Sequence, residues 1–213
     1  DDTSPLIQGS LSAPLQAGER IIVLRSDNGA PAVEVSGPAG IRSGTTNWGF
    51  TDSNLQDGHT YTYSAVVADA AGNRSAASTA YAVTIDTRAP DKPVTPAKYT
   101  DVQGTIQSIA SSEPTTDDQQ PGIQVGANLA DTPTLYVDGV KTAATYHALA
   151  GTLTPDAALA DGTHTFAYSL TDAAGNTSAV SDTYQITINT AAPAKPALPA
   201  SYQDDVGSLQ NPN

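Results

Sequence analysis

Aspartate is the residue type in this sequence with the clearest chemical potential. The 213 residues include 19 Asp, only three Glu, and no Cys or Met. Many of the Asp residues stand in adjacent pairs or in a repeated loop motif: Asp1-Asp2, Asp117-Asp118, Asp204-Asp205, Asp69 and Asp172. Short carboxylates are ligands for hard cations such as Ca²⁺, but Asp also builds turns. Each cluster is therefore interpreted either as a calcium site or as turn chemistry.

Other site chemistries find little support in the sequence. Without Cys there is no disulfide, thiolate metal site or cysteine nucleophile. The three histidines are isolated and form no H-E-x-x-H motif. Neighbouring carboxylates on one loop do not form the cleft that two-carboxylate catalysis needs, and no nucleophile elbow is present. We predict no enzyme and no catalytic residues, with His164 and the single Trp48 in packing roles rather than as a ligand and a sugar platform.

The charge of the chain excludes two classes of partner. The formal net charge is −13 and the isoelectric point is near 4.2. Nucleic acids and anionic lipid surfaces both attract basic proteins, so neither is an expected partner. The sequence has no apolar run long enough to span a membrane. Because residue 1 is Asp rather than Met, we expect the sequence to be a piece of a longer protein.

Two stretches of the sequence repeat each other. Residues 69–93 match residues 172–196, from a D-A-A-G-N motif to a proline-rich end. Three further pairs correspond beyond the prolines: Tyr99 with Tyr202, Asp101 with Asp204, and Gly104 with Gly207. The match is weak between residues 9–54 and 126–158. The repeat predicts domain 1 at residues 1–91, domain 2 at 92–195, and the start of a third repeat at 196–213.

Alternating apolar and polar side chains predict that each repeat is built from β-strands. Along residues 161–172, Phe166 and Tyr168 share one face while Thr165 and Ser169 share the other. Asp-Gly and Asn-Gly pairs between apolar runs predict tight hairpin turns at Asp138-Gly139 and Asn28-Gly29. No segment has a convincing helical pattern. These features predict an all-β protein.

The order of these elements predicts tandem immunoglobulin-like or fibronectin III-like β-sandwiches of about seven strands each. The Leu-x-Asp-Gly segments at 55–58 and 159–162 resemble the corner between strands E and F. The D-A-A-G-N motif is then the F–G loop, and residues 80–86 form strand G. Proline-rich residues 87–96 and 190–199 follow strand G and favour stiff linkers.

Several motifs in a fixed order resemble those of a known group of proteins. D-A-A-G-N-x-S is followed by a strand ending in I-D-T-x-A-P, by D-V-x-G-x-I and by T-T-D-D-x-x-P. This order is similar to the bacterial Ig-like repeats of giant type I-secreted surface adhesins, which include the Bap-like, biofilm-associated and RTX adhesins. The resemblance implies an extender that holds a ligand-binding tip away from the cell and is stiffened by calcium at domain junctions. It also implies an extracellular location on the bacterial surface.

The expected topology brings several oxygen ligands to the junction between the two domains. Strand G of domain 1 ends at Asp86 and points toward the F–G loop of domain 2, which carries Asp172 and Asn176. We expect Asp101, just beyond the linker, to enter the same space. Backbone carbonyls would complete the calcium shell.

Related acidic sites are expected at the other domain ends. Asp117-Asp118 is predicted to face the far end of domain 2, near Asp204-Asp205. Asp1-Asp2 begins the same D-D-x-x-P pattern and is predicted to lie at the lower end of domain 1, near Asp86.

The F–G loop of domain 1 carries the counterparts Asp69 and Asn73. Asn189 replaces Asp86 in the second repeat, so the next junction loses one carboxylate. The alternative for Asp69 and Asp172 is that each closes a tight turn, with a following glycine at positive φ.

The two ends of the chain suggest a hypothesis about pairing. If D-V-x-G-x-I (101–106) is the first strand, domain 1 lacks that strand and residues 204–210 are such a strand without a sandwich. An open edge and a spare strand invite pairing. The tail would then pack on domain 2 or pair with a neighbouring chain. The alternative is that domains begin at D-D-x-x-P and domain 1 is complete.

The sequence therefore predicts a structural extender segment that supports adhesion or biofilm formation. Its expected partners are neighbouring Ig-like repeats of the same chain and a host or matrix ligand at a distant tip, and a monomer is expected. The alternative is a carbohydrate- or receptor-binding Ig-like module. An accessory domain of a surface hydrolase is a third interpretation.

Overall fold

The computed structural model describes residues 2–37, 40–42 and 44–198. These residues form β-strands joined by turns and extended segments, which confirms the all-β prediction. Hydrogen-bonded pairing divides the strands into four sheets. Two sheets contain only β1–β6, here called domain 1, and the other two contain only β7–β16, here called domain 2. Within the described segments there is no helix of the length and apolarity needed to cross a membrane.

Domain 1 has six strands in the part of the chain that is described. They are β1 Leu6–Ser10, β2 Arg20–Asp27, β3 Val33–Glu34, β4 Asn47–Thr51, β5 Thr60–Ala68 and β6 Tyr81–Thr84. One sheet pairs β1 with β4, and the other has the order β3-β2-β5-β6. The alternation in β5 buries Tyr61 and Tyr63, which pack with Ile7, Ile21 and Val23 in the core. The two sheets thus form a small sandwich.

Domain 2 has ten strands. They are β7 Tyr99–Asp101, β8 Ser108–Ser111, β9 Thr115–Thr116, β10 Gly122–Gln124, β11 Thr132–Val137, β12 Val140–Thr142, β13 Ala144–His147, β14 Thr152–Pro155, β15 Gly162–Thr171 and β16 Tyr184–Ile188. The sheets have the orders β13-β14-β10-β7-β8 and β12-β11-β15-β16-β9. Tyr99, Ile123, Leu135, Phe166 and Ile186 form the centre of the core. About seven strands were expected per domain; of the ten strands of domain 2, four have no counterpart among the described residues of domain 1, namely β7, β8, β9 and β13.

The tight hairpin predicted at Asp138-Gly139 is present, whereas Asn28-Gly29 lies in a longer connection, with seven residues between the paired Arg25 and Val33. Val137 faces Val140 across the β11–β12 pair, and the Asp138-Gly139 turn has φ of 52° and 77°. Two consecutive positive φ values match the right-handed twist of the strands. Asn28 and Gly29, after β2, have φ of 47° and 79°. After the Asp138-Gly139 turn the chain forms two short strands, β12 and β13, where a simple hairpin would have one.

The prediction that D-V-x-G-x-I (101–106) forms a strand is wrong. Strand β7 ends at Asp101, and no strand resumes before Ser108. Gly104 has a φ of 65°, and a Cβ there would lie 1.9 Å from Oδ2 of Asp117. The backbone therefore bends around an Asp side chain at this glycine, which breaks the strand. Residues 204–210, the predicted equivalent, lie outside the described residues.

A histidine–aspartate pair fastens the end of β15 to the β11–β12 turn. His164 Nδ1 lies 2.7 Å from Oδ2 of Asp138, and its Nε2 lies 3.0 Å from the carbonyl oxygen of Ala160. Acceptors at both ring nitrogens favour the doubly protonated ring. The bond to Asp138 is the main reason why the pKa of His164 is raised. Burial opposes ionisation of Asp138, but hydrogen bonds from Thr165 and His164 outweigh it and lower the pKa of Asp138.

We expect this pair to make stability pH-dependent. A raised pKa in the folded state means that the contribution of His164 is complete below its unfolded pKa of about 6.5. The contribution is lost as the pH rises through the folded pKa. The free energy of unfolding, measured by urea denaturation between about pH 5 and 9, should therefore decrease as the pH rises. His164→Gln should remove this slope, because an amide does not titrate there.

His147→Gln is the matched control, since the His147 side chain is exposed. It should keep the pH dependence of the parent chain. Identical pH profiles for the parent and His164→Gln would contradict the assignment.

Candidate functional site at the domain junction

Both D-A-A-G-N loops close on their own Asp side chain. Oδ1 of Asp172 accepts the backbone N–H groups of Ala174 and Asn176 at 2.9 Å, and its Oδ2 accepts Nδ2 of Asn176 at 2.9 Å. Asp69 and Asn73 make the same bonds in domain 1. The amide donors lower the pKa of both Asp carboxyls. Each carboxylate therefore has the turn-forming role that the sequence left open beside calcium binding.

The loop of domain 2 also contacts domain 1. Nδ2 of Asn176 donates a second hydrogen bond to the backbone carbonyl oxygen of Asp86, at 3.0 Å. Asp86 lies just beyond β6, so its carbonyl has no ladder partner within domain 1 among the hydrogen bonds of the described strands. Asn176 is only 8% exposed, whereas Asn73 is exposed. The structure thus brings Asp86, Asp172 and Asn176 together, as the sequence predicted.

An ion pair supports the junction from the rim. Nζ of Lys92 lies 2.7 Å from Oδ1 of Asp182. Both side chains are exposed, and exposed pairs contribute about 0–1 kcal/mol. The ion pair contributes to the orientation of the linker more than to stability, because it joins the proline-rich linker to the segment that leads into β16. The junction is therefore fastened by one buried hydrogen bond and one exposed ion pair.

Four carboxylates line one open cavity of about 340 Å³ at this junction. They are Asp86, Asp91, Asp131 and Asp172, and Arg88 lines the same space. Oxygen donors from both domains are chemically suited to a hard cation. However, no three His, Asp or Glu side chains of the described residues lie close enough to hold an ion. The donor chemistry fits calcium, but closing the carboxylates on an ion would require them to move.

The structure does not place Asp101 at this junction. Its Oδ2 accepts the hydroxyl of Thr116 at 2.8 Å, and it lines a second cavity with Asp117 and Asn189. Asn189 follows β16 near Gly162, at the opposite end of β15 from Asp172. Ten residues of strand separate those ends by about 33 Å. The expectation failed because the chain continues past the junction in an extended segment, so that Asp101, the last residue of β7, lies at the far end of domain 2.

The adjacent pair Asp117-Asp118 is split between surface and interior. Asp117 is exposed on the second cavity, at the far end of domain 2 as predicted. Asp118 is 1% exposed, and its oxygens accept the backbone N–H groups of Val102 at 3.0 Å and Gln120 at 2.8 Å. Two backbone N–H groups therefore satisfy the buried carboxylate of Asp118. Calcium binding by either residue stays a prediction.

The remaining predicted ligands are at the chain ends. Asp2 is exposed and accepts the N–H of Ser4, while the carbonyl of Thr3 accepts the N–H of Leu55. This places Asp2 at the lower end of domain 1, close to the turn that precedes β5. Asp1, Asp204 and Asp205 lie outside the described residues.

Sequence reasoning missed four junction residues: Asp91, Lys92, Asp131 and Asp182. A signal existed for Lys92, because A-P-D-K-P recurs as A-P-A-K-P with Lys195 at the matching position. Asp131 immediately precedes β11, at the same sheet end as the F–G loop. Asp182 carried no signal, because Thr79 stands in its place in the first repeat.

The indole of Trp48 packs in domain 1 as predicted. The side chain is half-buried in β4 and packs against the core cluster. It also covers Gly9, where a Cβ would lie 2.5 Å from the ring.

Comparison with known proteins gives a family match. A family model described as bacterial Ig-like domain matches residues 22–87 and 95–190. No curated protein matches the sequence significantly.

We expect Asn176→Ala to loosen the junction. The substitution removes the bond to Asp86 and one bond within the loop, at a cost of about 1–2 kcal/mol to the free energy of unfolding. Small-angle scattering should then show a broader distribution of interdomain distances.

Asn73→Ala is the matched control for this variant. It removes the same internal bond from the loop of domain 1 without touching the junction. Equal broadening in both variants would show that the Asn176–Asp86 bond does not fix the junction.

Proposed function

Because this chain belongs to the bacterial Ig-like domain family, we propose that it is an extender segment of a giant type I-secreted bacterial surface adhesin. The family match covers most of both domains. Domains of this family usually occur in surface or extracellular proteins, and they are typically non-enzymatic. In the proposed role, the sandwiches act as stiff units that carry a binding tip away from the cell and so support adhesion or biofilm formation.

The observation that carries this proposal is the direct bond between the domains. An extender must resist bending at its joints, because flexible joints shorten the mean end-to-end distance. Here the side chain of Asn176 donates a hydrogen bond to a backbone carbonyl of the preceding domain. The loop that carries Asn176 is itself held by hydrogen bonds to Asp172. The proline-rich linker supports the same stiffness, since proline fixes φ. Nothing comparable is needed in a module that only binds a ligand on one domain.

We further propose that calcium stiffens the junction when it is present outside the cell. The residues that would hold it are Asp86, Asp91, Asp131 and Asp172, which line one cavity from both domains. The ion would offset repulsion among these carboxylates in a chain of net charge −13. A ligand that binds only the folded, docked state raises stability by mass action, by about 2.7 kcal/mol at 100 times its dissociation constant.

The test compares thermal unfolding and small-angle scattering in millimolar CaCl₂, MgCl₂ and EDTA. We expect a calcium-specific rise in Tm and a longer, more uniform particle. Asp131→Asn should weaken both responses, because it removes one carboxylate from the cavity without a change in shape. Asp156→Asn is the control, since Asp156 is exposed and lies outside the residues that line the cavity.

The outcomes separate the two parts of the proposal. Equal Tm values in calcium and EDTA would refute the calcium site but not the extender. A particle that is compact or freely bent in every condition would refute the extender itself.

A further inference from the structure

Among the described residues, Arg88 is the only basic residue that lines the cavity at the domain junction. Its Nη2 lies 3.8 Å from Oδ1 of Asp91, and both side chains are largely exposed. An exposed pair of this kind contributes little to stability by itself. A role for Arg88 must therefore come from its position among several carboxylates, because charges that form a network act together.

The two proline-rich linkers begin with the same hydrogen bond. Oδ1 of Asp57 accepts the N–H of Thr87 at 2.6 Å, and Oδ1 of Asp161 accepts the N–H of Thr190 at 3.2 Å. Hydrogen bonds from Thr87 are the main reason why the pKa of Asp57 is lowered, and the charge of Arg88 adds to this effect. The linkers can therefore be compared position by position, and the charge of Arg88 also reaches a carboxylate of domain 1.

The next hydrogen bond shows that the charge of Asp86 is not needed for the local structure. Oδ1 of Asp86 accepts the N–H of Arg88 at 3.0 Å. At the matching position of the second linker, Oδ1 of Asn189 accepts the N–H of Ala191 at 3.1 Å. An uncharged amide thus closes the same turn. The carboxylate of Asp86 must therefore be explained by its surroundings at the junction.

The linkers differ only where the first one carries the charges of the cavity. Residues 86–93 and 189–196 are identical except at three positions. These are Asp86, Arg88 and Asp91, which correspond to Asn189, Ala191 and Ala194. All three charged residues line the junction cavity, whereas Lys92, which does not line it, is retained as Lys195. The two acidic residues and the arginine therefore occur together in one linker and are replaced together in the other.

Electrostatics gives a reason for this combination. The linker carboxylates share the cavity with Asp131 and Asp172 of domain 2, so docking brings like charges together. A cation in the same space offsets their repulsion. A guanidinium group is always charged, is weakly hydrated and has five N–H donors, which suits it to several carboxylates at once. Because Arg88 is part of the linker, its effective concentration at the cavity is high whatever ions are present.

We propose that Arg88 is the built-in counter-ion of the domain junction. Its guanidinium group neutralises part of the negative charge that the two domains share, and it keeps them docked when no metal is bound. It also competes with calcium for the same carboxylates. The first role is independent of calcium, whereas the second rests on the proposed function of this cavity as a calcium site.

The first experiment compares the full parent chain with Arg88→Ala by small-angle scattering in EDTA. At low ionic strength, Arg88→Ala should broaden the distribution of interdomain distances, because the carboxylates lose their cation. About 1 M NaCl should restore the parent distribution, since the Debye length falls to about 3 Å. Arg88→Lys keeps the charge and should resemble the parent. Arg42→Ala is the matched control, because it makes the same change in net charge at an exposed residue outside the cavity.

The second experiment is a calcium titration of the same variants, followed by scattering and by Tm. Arg88→Ala should respond at about fivefold lower calcium than the parent, because a positive charge that repels the ion has been removed. Arg88→Lys and Arg42→Ala should keep the calcium midpoint of the parent.

The outcomes distinguish the two roles from each other and from the calcium site. If Arg88→Ala matches Arg42→Ala in EDTA, the counter-ion role is overturned. Broadening that Arg88→Lys shares, or that persists at high salt, would also overturn it, because packing rather than charge would be the cause. Equal calcium midpoints for the parent and Arg88→Ala would overturn the competition. If no variant responds to calcium, the calcium site and the competition both fail, and the comparison in EDTA still decides the counter-ion role.

Discussion

A strand that reaches the edge or the end of its sheet leaves backbone groups that need partners. Several side chains of this protein supply such partners. At the end of domain 1, the carbonyl of Asp86 receives the side chain of Asn176. At the start of β10, the buried carboxylate of Asp118 receives two backbone N–H groups. The junction and the loop before β10 thus meet the same requirement in two ways.

The same requirement explains how so many carboxylates fold together. Asp118, Asp138 and Asp172 each accept backbone N–H groups, and at Asp138 and Asp172 these bonds help to lower the pKa of the carboxyl. Asp is short enough to accept N–H groups two and four residues further along its own loop, as Asp69 and Asp172 do. Net charge alone would make the chain appear unstable, but much of that charge has local donors. The cavity at the junction is different, because its carboxylates come from three separate segments: the linker with Asp86 and Asp91, the residue before β11, Asp131, and the loop of Asp172.

Local patterns predicted the strands and turns, and non-local pairing decided where they go. The alternation of apolar and polar residues predicted β5 and β15, and Asp138-Gly139 predicted the β11–β12 hairpin. Strands and tight turns are predictable in this way because each depends on residues that are neighbours in the sequence. Asp101 was misplaced because its distance along the chain from Asp86 does not reveal that the extended segment after the linker leads to the opposite end of domain 2. The alternation of D-V-x-G-x-I resembled a strand, yet Gly104 bends around a carboxylate 13 residues later. The meeting of Asp86 with Asn176 was predictable, because strand G and the F–G loop have fixed positions in an Ig-like sandwich.

A largely buried polar cluster joins the two sheets of domain 1. Nη1 of Arg25, on β2, lies 3.1 and 2.9 Å from the two carboxylate oxygens of Asp52, which follows β4. The hydroxyl of Tyr63, on β5, donates to the same carboxylate at 2.9 Å. Burial is the main reason why the pKa of Tyr63 is raised, and the hydrogen bond to Asp52 adds to it. Losing one member would strand a buried charge, which is far more costly than losing an exposed pair. The cluster therefore holds the two sheets of domain 1 together through charge-assisted hydrogen bonds in addition to apolar packing.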